Sequence, residues 1–263
     1  MRAALGILVA AALAYIAFCL LVFVQQRSLM YFPTPPTRTP PGAEVIALAG
    51  NVVVTAFRQD RAPALLYFGG NAEDVNGSLG ELAAAFPGHA IYLMQYRGYG
   101  GSDGAPTEEG LVSDALALYD KVRRRHERIE VAGRSLGSGV AIQLAAARPV
   151  DRLVLITPFD SMRDVAGRHY PYLPVRWLLR DPYDSAAYAP KVNAPTVLVA
   201  AADDEIIPRA STEALFRCFA PGVATMTVIE GVGHNTISSS PRYIAAISGG
   251  AIDASLAEQG ERR

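Results

Sequence analysis

Gly133-Arg134-Ser135-Leu136-Gly137 sets one serine between two glycines. In this G-x-S-x-G pattern a strand turns sharply into a helix and leaves a hydroxyl exposed at the carboxyl edge of a sheet. Ile129-Glu-Val-Ala132 leads in as a strand, and Ser138-Gly-Val-Ala-Ile-Gln-Leu-Ala-Ala146 leaves as a helix with small residues at its start. A serine hydroxyl is too weakly acidic to attack a carbonyl unaided, so it needs a base, and the base needs a third group to orient it. The chain has four histidines. His89 precedes a strand, His126 lies in a basic helix end, and His169 falls in a segment rich in Pro, Tyr and Trp. His234 sits in a glycine-rich loop, Glu230-Gly-Val-Gly-His234-Asn, after the last strand. The chain order serine, acid, histidine selects His234 as the base.

The acid should end a strand between those two positions. Asp203 and Asp204 follow Thr196-Val-Leu-Val-Ala-Ala-Ala202, and Asp160 is a weaker third candidate. One of the adjacent pair is expected to orient the imidazole while the other caps the turn. Main-chain N–H groups must meet the charge that develops on the attacked oxygen. Leu136, next after the serine, supplies one, and the early loop Phe68-Gly69-Gly70-Asn71-Ala72 is placed to supply the other. The rival reading of that loop as a phosphate cradle lacks both a Walker lysine and a G-x-G-x-x-G run.

The elements that must position these groups are visible as short apolar runs at residues 52–58, 64–68, 90–96, 129–132, 153–156, 196–200 and 225–229. Several are continuously apolar, as in strands covered on both faces. Between them, residues 107–122 read as a helix capped by Thr107, with Glu108 and Glu109 in the first turn and a stripe of Leu111, Ala115, Leu118 and Val122. Residues 135–147 and 211–219 read as helices too. Alternating β and α elements predict an α/β fold, a mostly parallel sheet with helices on both faces, in one domain over residues 43–263. The 263 residues carry a net charge of −1, against a nucleic-acid partner, which needs a basic surface. Two cysteines, Cys19 and Cys218, exclude a disulfide framework and a cysteine-built zinc site, and no metal or organic cofactor is implied.

Ahead of this domain, Ala3 to Val24 holds no charged residue. As a helix it spans about 33 Å, enough for a hydrocarbon core of about 30 Å. A cleaved signal has an apolar core of only about 7–15 residues and a small-residue cut site, and Gln25-Gln26-Arg27 offers none. Residues 1–27 are therefore expected to be a single-pass bilayer anchor. The positive-inside count is nearly tied, Arg2 against Arg27 and Arg38, with the catalytic domain expected on the non-cytoplasmic side. Residues 28–42, with the tract Pro33-Thr-Pro-Pro-Thr-Arg-Thr-Pro-Pro41, read as a semi-rigid neck. The run Arg123-Arg-Arg-His-Glu-Arg128 closes a helix, where cations are favoured. Residues 159–190, rich in aromatics and prolines, are expected to form a small cap that shapes an apolar acyl pocket over Ser135.

From Gln26 to about Tyr243 the chain resembles the membrane-anchored α/β-hydrolases, a family of serine hydrolases that includes fungal polarity-associated proteins, mammalian lipid hydrolases and depalmitoylases, and bacterial members. The matching stretches are Gln26-Arg-Ser-Leu-Met-Tyr-Phe-Pro33, Leu66-Tyr-Phe-Gly-Gly-Asn-Ala72, Tyr96-Arg-Gly-Tyr-Gly-Gly-Ser-Asp-Gly104, the Ser135 elbow, Asp204-Glu-Ile-Ile-Pro208 and Gly233-His-Asn235. The resemblance implies the α/β-hydrolase fold and hydrolysis of acyl esters or thioesters by a Ser135–His234–Asp204 triad. It selects Asp204 over Asp203 and makes Asn71 the second oxyanion donor beside Leu136. Tethering beside a bilayer makes lipid-like acyl esters or thioesters the expected substrates. The sequence departs from the family at Gly69, where a histidine is usual, and at Gln95, where an aspartate is usual. The first departure is expected to loosen the oxyanion loop. A peptidase or amidase on the same triad, and a non-catalytic scaffold that keeps the fold, are the alternative readings.

Overall fold

The computed structural model describes residues 1–61 and 63–249. It opens with a helix α1, Arg2–Met30, followed by strands β1 (Ala43–Ala47), β2 (Val53–Phe57) and β3 (Pro63–Phe68). Helix α2 (Leu79–Ala85), strand β4 (Ala90–Met94) and helix α3 (Glu108–Val122) come next, then β5 (Arg128–Arg134), α4 (Leu136–Ala147) and β6 (Arg152–Ile156). Three short helices, α5 (Met162–His169), α6 (Val175–Leu178) and α7 (Ser185–Tyr188), separate β6 from β7 (Thr196–Ala201). The described chain closes with α8 (Arg209–Phe216), β8 (Ala224–Ile229) and α9 (Arg242–Ser248).

The eight strands form one sheet in the order β1-β2-β4-β3-β5-β6-β7-β8. β2 is antiparallel to both its neighbours, and every pairing from β4 to β8 is parallel. Alternation along the strands divides the core, because successive side chains point to opposite faces. Leu66, Phe68, Val131, Leu153, Leu155 and Leu198 pack with α3, α4 and α8 on one face. Leu65, Tyr67, Ala132, Val154, Ile156 and Val199 pack with α2 and α9 on the other. Each predicted strand appears, and the Thr107 side chain caps α3 by accepting the Gly110 N–H at 3.0 Å.

Three features differ from the sequence expectation. β1 is an added edge strand, and its half-exposed Ala-Glu-Val-Ile-Ala carries too little apolar run to stand out. α1 continues through Ser28 and Leu29 to Met30, residues expected to belong to the neck. The proline-rich stretch is no free spacer. Thr34 accepts the Gly100 N–H through its carbonyl, and the Thr37 hydroxyl donates to Asp74 while accepting from Asn76. α1 itself is long and apolar enough to cross a membrane, and only 6% of its most apolar stretch is buried.

Candidate active site

β5 hydrogen-bonds in parallel to β3 on one side and β6 on the other, so its end lies in the middle of the sheet. Gly133 is the next-to-last residue of the strand, where an added Cβ would stand 2.7 Å from Ala141 Cβ on α4. Gly137, in the first turn of that helix, presses against the Phe68 carbonyl at the end of β3. Both glycines are needed because strand, turn and helix approach too closely for a side chain. Between them the backbone of Ser135 is driven to φ 49°, ψ −116°, a conformation an L-residue rarely adopts. Its N–H donates to the Ile156 carbonyl at 2.8 Å, pinning the turn to β6.

The loop after β8 brings His234 to this point. His234 Nε2 lies 2.9 Å from Ser135 Oγ, and Nδ1 lies 2.8 Å from Asp204 Oδ2. The Asp204 carboxylate accepts from Nδ1–H, which leaves Nε2 unprotonated and able to accept the serine proton. The side chains of His234 and Asp204 are 6% and 3% exposed, so the pair works away from bulk water.

Asp204 also accepts the N–H groups of Ile206 and Ile207, at 2.9 and 2.6 Å. The division of labour expected between the two aspartates therefore does not occur. Asp204 both caps the turn and meets the imidazole, whereas Asp203 is exposed and joins the turn through its main-chain N–H to Val232. Asp160 pairs with the Ser211 hydroxyl and the Ser161 N–H instead. His126 is buried against the Tyr92 hydroxyl, His89 faces Glu130, and His169 meets the Ile206 carbonyl.

The Gly69-Gly70-Asn71 loop stands directly against the nucleophile, since an added Cβ on Gly70 would lie 3.6 Å from Ser135 Cβ. It is tightly held without the usual histidine. A Cβ at Gly69 would come within 2.5 Å of Val75 Cγ1 and 3.2 Å of the Glu73 carboxyl carbon, so that space is already taken. Glu73 Oε2 accepts the Gly70 N–H at 2.6 Å, while Oε1 accepts from the Tyr67 and Ser78 hydroxyls, both at 2.7 Å. Tyr96 donates to the Gly69 carbonyl at 2.8 Å. The Gly70 N–H is committed to Glu73 and does not point to an oxyanion.

Asn71 adds an unforeseen connection. Its Oδ1 accepts from the Phe32 N–H and the Tyr99 hydroxyl, at 2.9 and 2.6 Å, and its Nδ2 donates to the Met30 carbonyl at 2.6 Å. The end of α1 is thereby clamped to the loop beside Ser135. The second departure has a similar explanation. Gln95 Oε1 accepts the Gly101 N–H at 2.7 Å, so its amide caps the turn after β4 as a carboxylate would.

Charge around the site is balanced locally. The Arg134 guanidinium lies 3.6 Å from Glu73 and donates to the His234 carbonyl at 3.4 Å. Burial pulls its pKa down, but Glu73 and the neighbouring tyrosines outweigh that and hold it above its ordinary value. Burial and the Glu73 carboxylate push Tyr67 well up, so its phenol remains a donor. Glu205 accepts the His234 N–H at 3.1 Å. Glu73 and Glu205 escaped the sequence reading, and the only trace of Glu73 was a carboxylate three residues beyond Gly70.

Residues 65–184 match the family profile described as serine aminopeptidase, S33, a stretch that includes Ser135 and stops before Asp204 and His234. An uncharacterised protein of Mycobacterium tuberculosis is 37% identical over 248 residues, covering 86% of this chain and 87% of its own. A lysophosphatidylserine lipase, ABHD12, of Danio rerio is 32% identical over 174 residues, covering 57% of this chain and 45% of that protein. The Pyrococcus furiosus esterase Pf2001 superposes with a TM-score of 0.66 at 17% identity, over 84% of this chain and 97% of that one. With the sheet order, the elbow and a long match of this kind in hand, the chain belongs to the α/β-hydrolase family.

Proposed function

We propose that the chain is a membrane-anchored serine hydrolase that cleaves acyl esters or thioesters through an acyl-enzyme. One observation carries this reading, the unbroken hydrogen-bonded line from Asp204 through His234 to the Ser135 hydroxyl. Ser135 Oγ attacks the acyl carbonyl while His234 Nε2 takes its proton, and Asp204 stabilises the imidazolium that forms. The Leu136 and Asn71 N–H groups meet the oxyanion. Collapse of the tetrahedral intermediate expels the alcohol or thiol, which takes the proton from His234. Water then attacks the acyl-enzyme, with the same Nε2 as base, and releases the acid.

Relatives and neighbours supply the substrate class. One relative is named a lysophosphatidylserine lipase and one structural neighbour an esterase, which favours an acyl chain esterified to a polar group. α1 favours residence at a bilayer. It is gripped by the rest of the protein from Tyr15, which donates to the Tyr172 carbonyl, to Tyr31, whose hydroxyl meets that of Tyr183. A signal cleaved after Val24 would forfeit the upper part of that grip. The description of the matched family profile favours a second reading, an aminopeptidase or amidase on the same residues.

Labelling of the membrane fraction with a fluorophosphonate probe tests the nucleophile, with Ser135→Ala as the control. Labelling of the wild type that vanishes in the variant is expected, and a folded wild type that takes no label would overturn the reading in favour of a scaffold. Short acyl esters should turn over faster than aminoacyl amides; the reverse order would transfer the assignment to the peptidase.

A further inference from the structure

We propose that residues 170–179, the tip of the cap between α5 and α7, lie within the bilayer beside α1, so that a lipid substrate passes to Ser135 laterally from the leaflet. This rests on α1 being an anchor and goes beyond it, because an anchor alone leaves the catalytic domain free to stand in water.

The argument starts from α1's polar side chains. Tyr15 and Gln26 flank a run of apolar residues, and both are used on the cap. The Tyr15 hydroxyl donates to the Tyr172 carbonyl at 2.7 Å. Gln26 takes a two-fold grip, Nε2 donating to the Leu178 carbonyl at 3.2 Å and Oε1 accepting the Arg180 N–H at 2.7 Å. Between these two points Cys19, Val22 and Phe23 face Leu173, Pro174 and Leu179 across an apolar groove. Tyr15 precedes Arg27 by twelve helical residues, about 18 Å along the axis, whereas half a hydrocarbon core is about 15 Å. A cap that holds α1 at both levels overlaps the leaflet that holds the C-terminal half of that helix. Tilting α1 changes the depth of the overlap and does not remove it.

The tip has the chemistry such a place demands. Tyr170-Pro-Tyr-Leu-Pro-Val175 contains no charge, its two prolines have no N–H to satisfy, and the one charge within the tip, Arg176, is paired with Asp164 at 2.7 Å. Backbone polar groups at membrane depth must be paired within the protein, and α1 supplies partners for the Tyr172 and Leu178 carbonyls. Tyr172 and Trp177 are 87% and 85% exposed, and Tyr170 is 59% exposed. In water these three rings are an unpartnered apolar face, continuous with the uncovered surface of α1; at a bilayer they are the aromatic residues enriched at its interface. Exposed Arg168 and Arg180 flank the tip, where long cationic side chains extend to headgroups, and the Arg180 guanidinium lies 5.5 Å from the Phe23 ring. The tip also adjoins the site. His169, immediately before it, meets the Ile206 carbonyl at 2.9 Å in the turn that carries Asp204.

Trp177 is the chain's single tryptophan, so the full-length protein reports on itself. It would be reconstituted into phosphatidylcholine–phosphatidylglycerol vesicles, with and without bromine on the acyl chains, and followed by flotation and tryptophan emission. The expected result is co-flotation, blue-shifted emission, and loss of most of the signal in brominated vesicles with little quenching by aqueous acrylamide. Co-flotation with emission quenched by acrylamide and indifferent to bromine would overturn the proposal and leave the anchor standing. Failure to float would remove the anchor reading and the proposal with it. In the same vesicles, replacing Tyr172 and Trp177 by serine should lower the ratio of vesicle-borne to soluble ester hydrolysis about tenfold. An unchanged ratio would also count against the proposal.

Discussion

Ser135 combines a demanding role with a demanding backbone. At φ 49° a Cβ is strained, by about 1–2 kcal/mol for an L-residue held in that region. Ser135→Ala and Ser135→Gly should both abolish turnover, but the glycine variant should be the more stable of the two by about 1 kcal/mol. Chemical unfolding in detergent checks this, and equal stabilities would show that the elbow stores no strain. Glu73 holds the loop beside Ser135 through Gly70. Glu73→Ala leaves the Gly70 N–H and two hydroxyls without this acceptor and removes the carboxylate 3.6 Å from Arg134, and kcat should fall about ten- to a hundredfold with little change in KM. Glu73→Gln, which can still accept from Gly70, should recover part of the loss; steady-state kinetics on a soluble ester would show both. At this scale the sequence was readable where chemistry imposes a pattern. Ser135 announces itself by flanking glycines and His234 by elimination among four histidines. Glu73 and Glu205 carry no such mark, because only the turn geometry decides which main-chain N–H a loop carboxylate meets. The adjacent Asp203 and Asp204 are chemically identical, and the direction each side chain takes is a property of the folded turn.

Among the elements, legibility followed burial. Strands covered on both faces, such as β5 and β6, stand out as apolar runs, whereas β1 and the four-residue helices α6 and α7 fall below any period that a pattern can register. β5 also carries a testable electrostatic contact. Burial pushes the Glu130 carboxyl up, but the His89 hydrogen bond and the charges of His89 and Arg152 outweigh this and hold it below its usual range. A carboxylate with a depressed folded-state pKa contributes stability above its unfolded pKa, and that contribution is lost as pH falls through the folded value. Glu130→Gln should therefore lower Tm at any pH above about 5, and the gap to wild type should close as the pH falls from there, below the unfolded carboxylate value of about 4.3 and through the folded one. Thermal melts across that interval measure it, and a gap that widens toward acid would contradict the assignment. The same residue links the strand to Arg152, which donates to the Ile247 and Ser248 carbonyls at the end of α9.

At the level of the whole molecule, the long apolar helix and the domain are not divided where composition changes. The apolar run stops at Val24, yet Gln26, Arg27, Met30 and Tyr31 are bonded into the cap, the loop beside Ser135 and the core. Arg27 donates to Asp181, which is 4% exposed and also accepts the Glu108 N–H at the start of α3. A chain shortened to begin at Gln25 should keep most of the domain's stability, while one beginning at Phe32 should lose several kcal/mol and much of its activity. Soluble yield and Tm of the two shortened chains would distinguish this from a simple tether, for which both would behave alike.

Asn71 has its side chain hydrogen-bonded to Met30 and Phe32 and lies in the loop whose Gly70 stands against Ser135. It therefore works as a mechanical linkage. A bilayer thinner or thicker than the apolar length of α1 would impose tilt on that helix, and Asn71 shares that tilt with the contacts α1 makes to Tyr172, Leu178 and Asp181. Turnover on one soluble ester would then vary with the chain length of the host lipid, and the bilayer would be a determinant of catalytic rate as well as a place of residence.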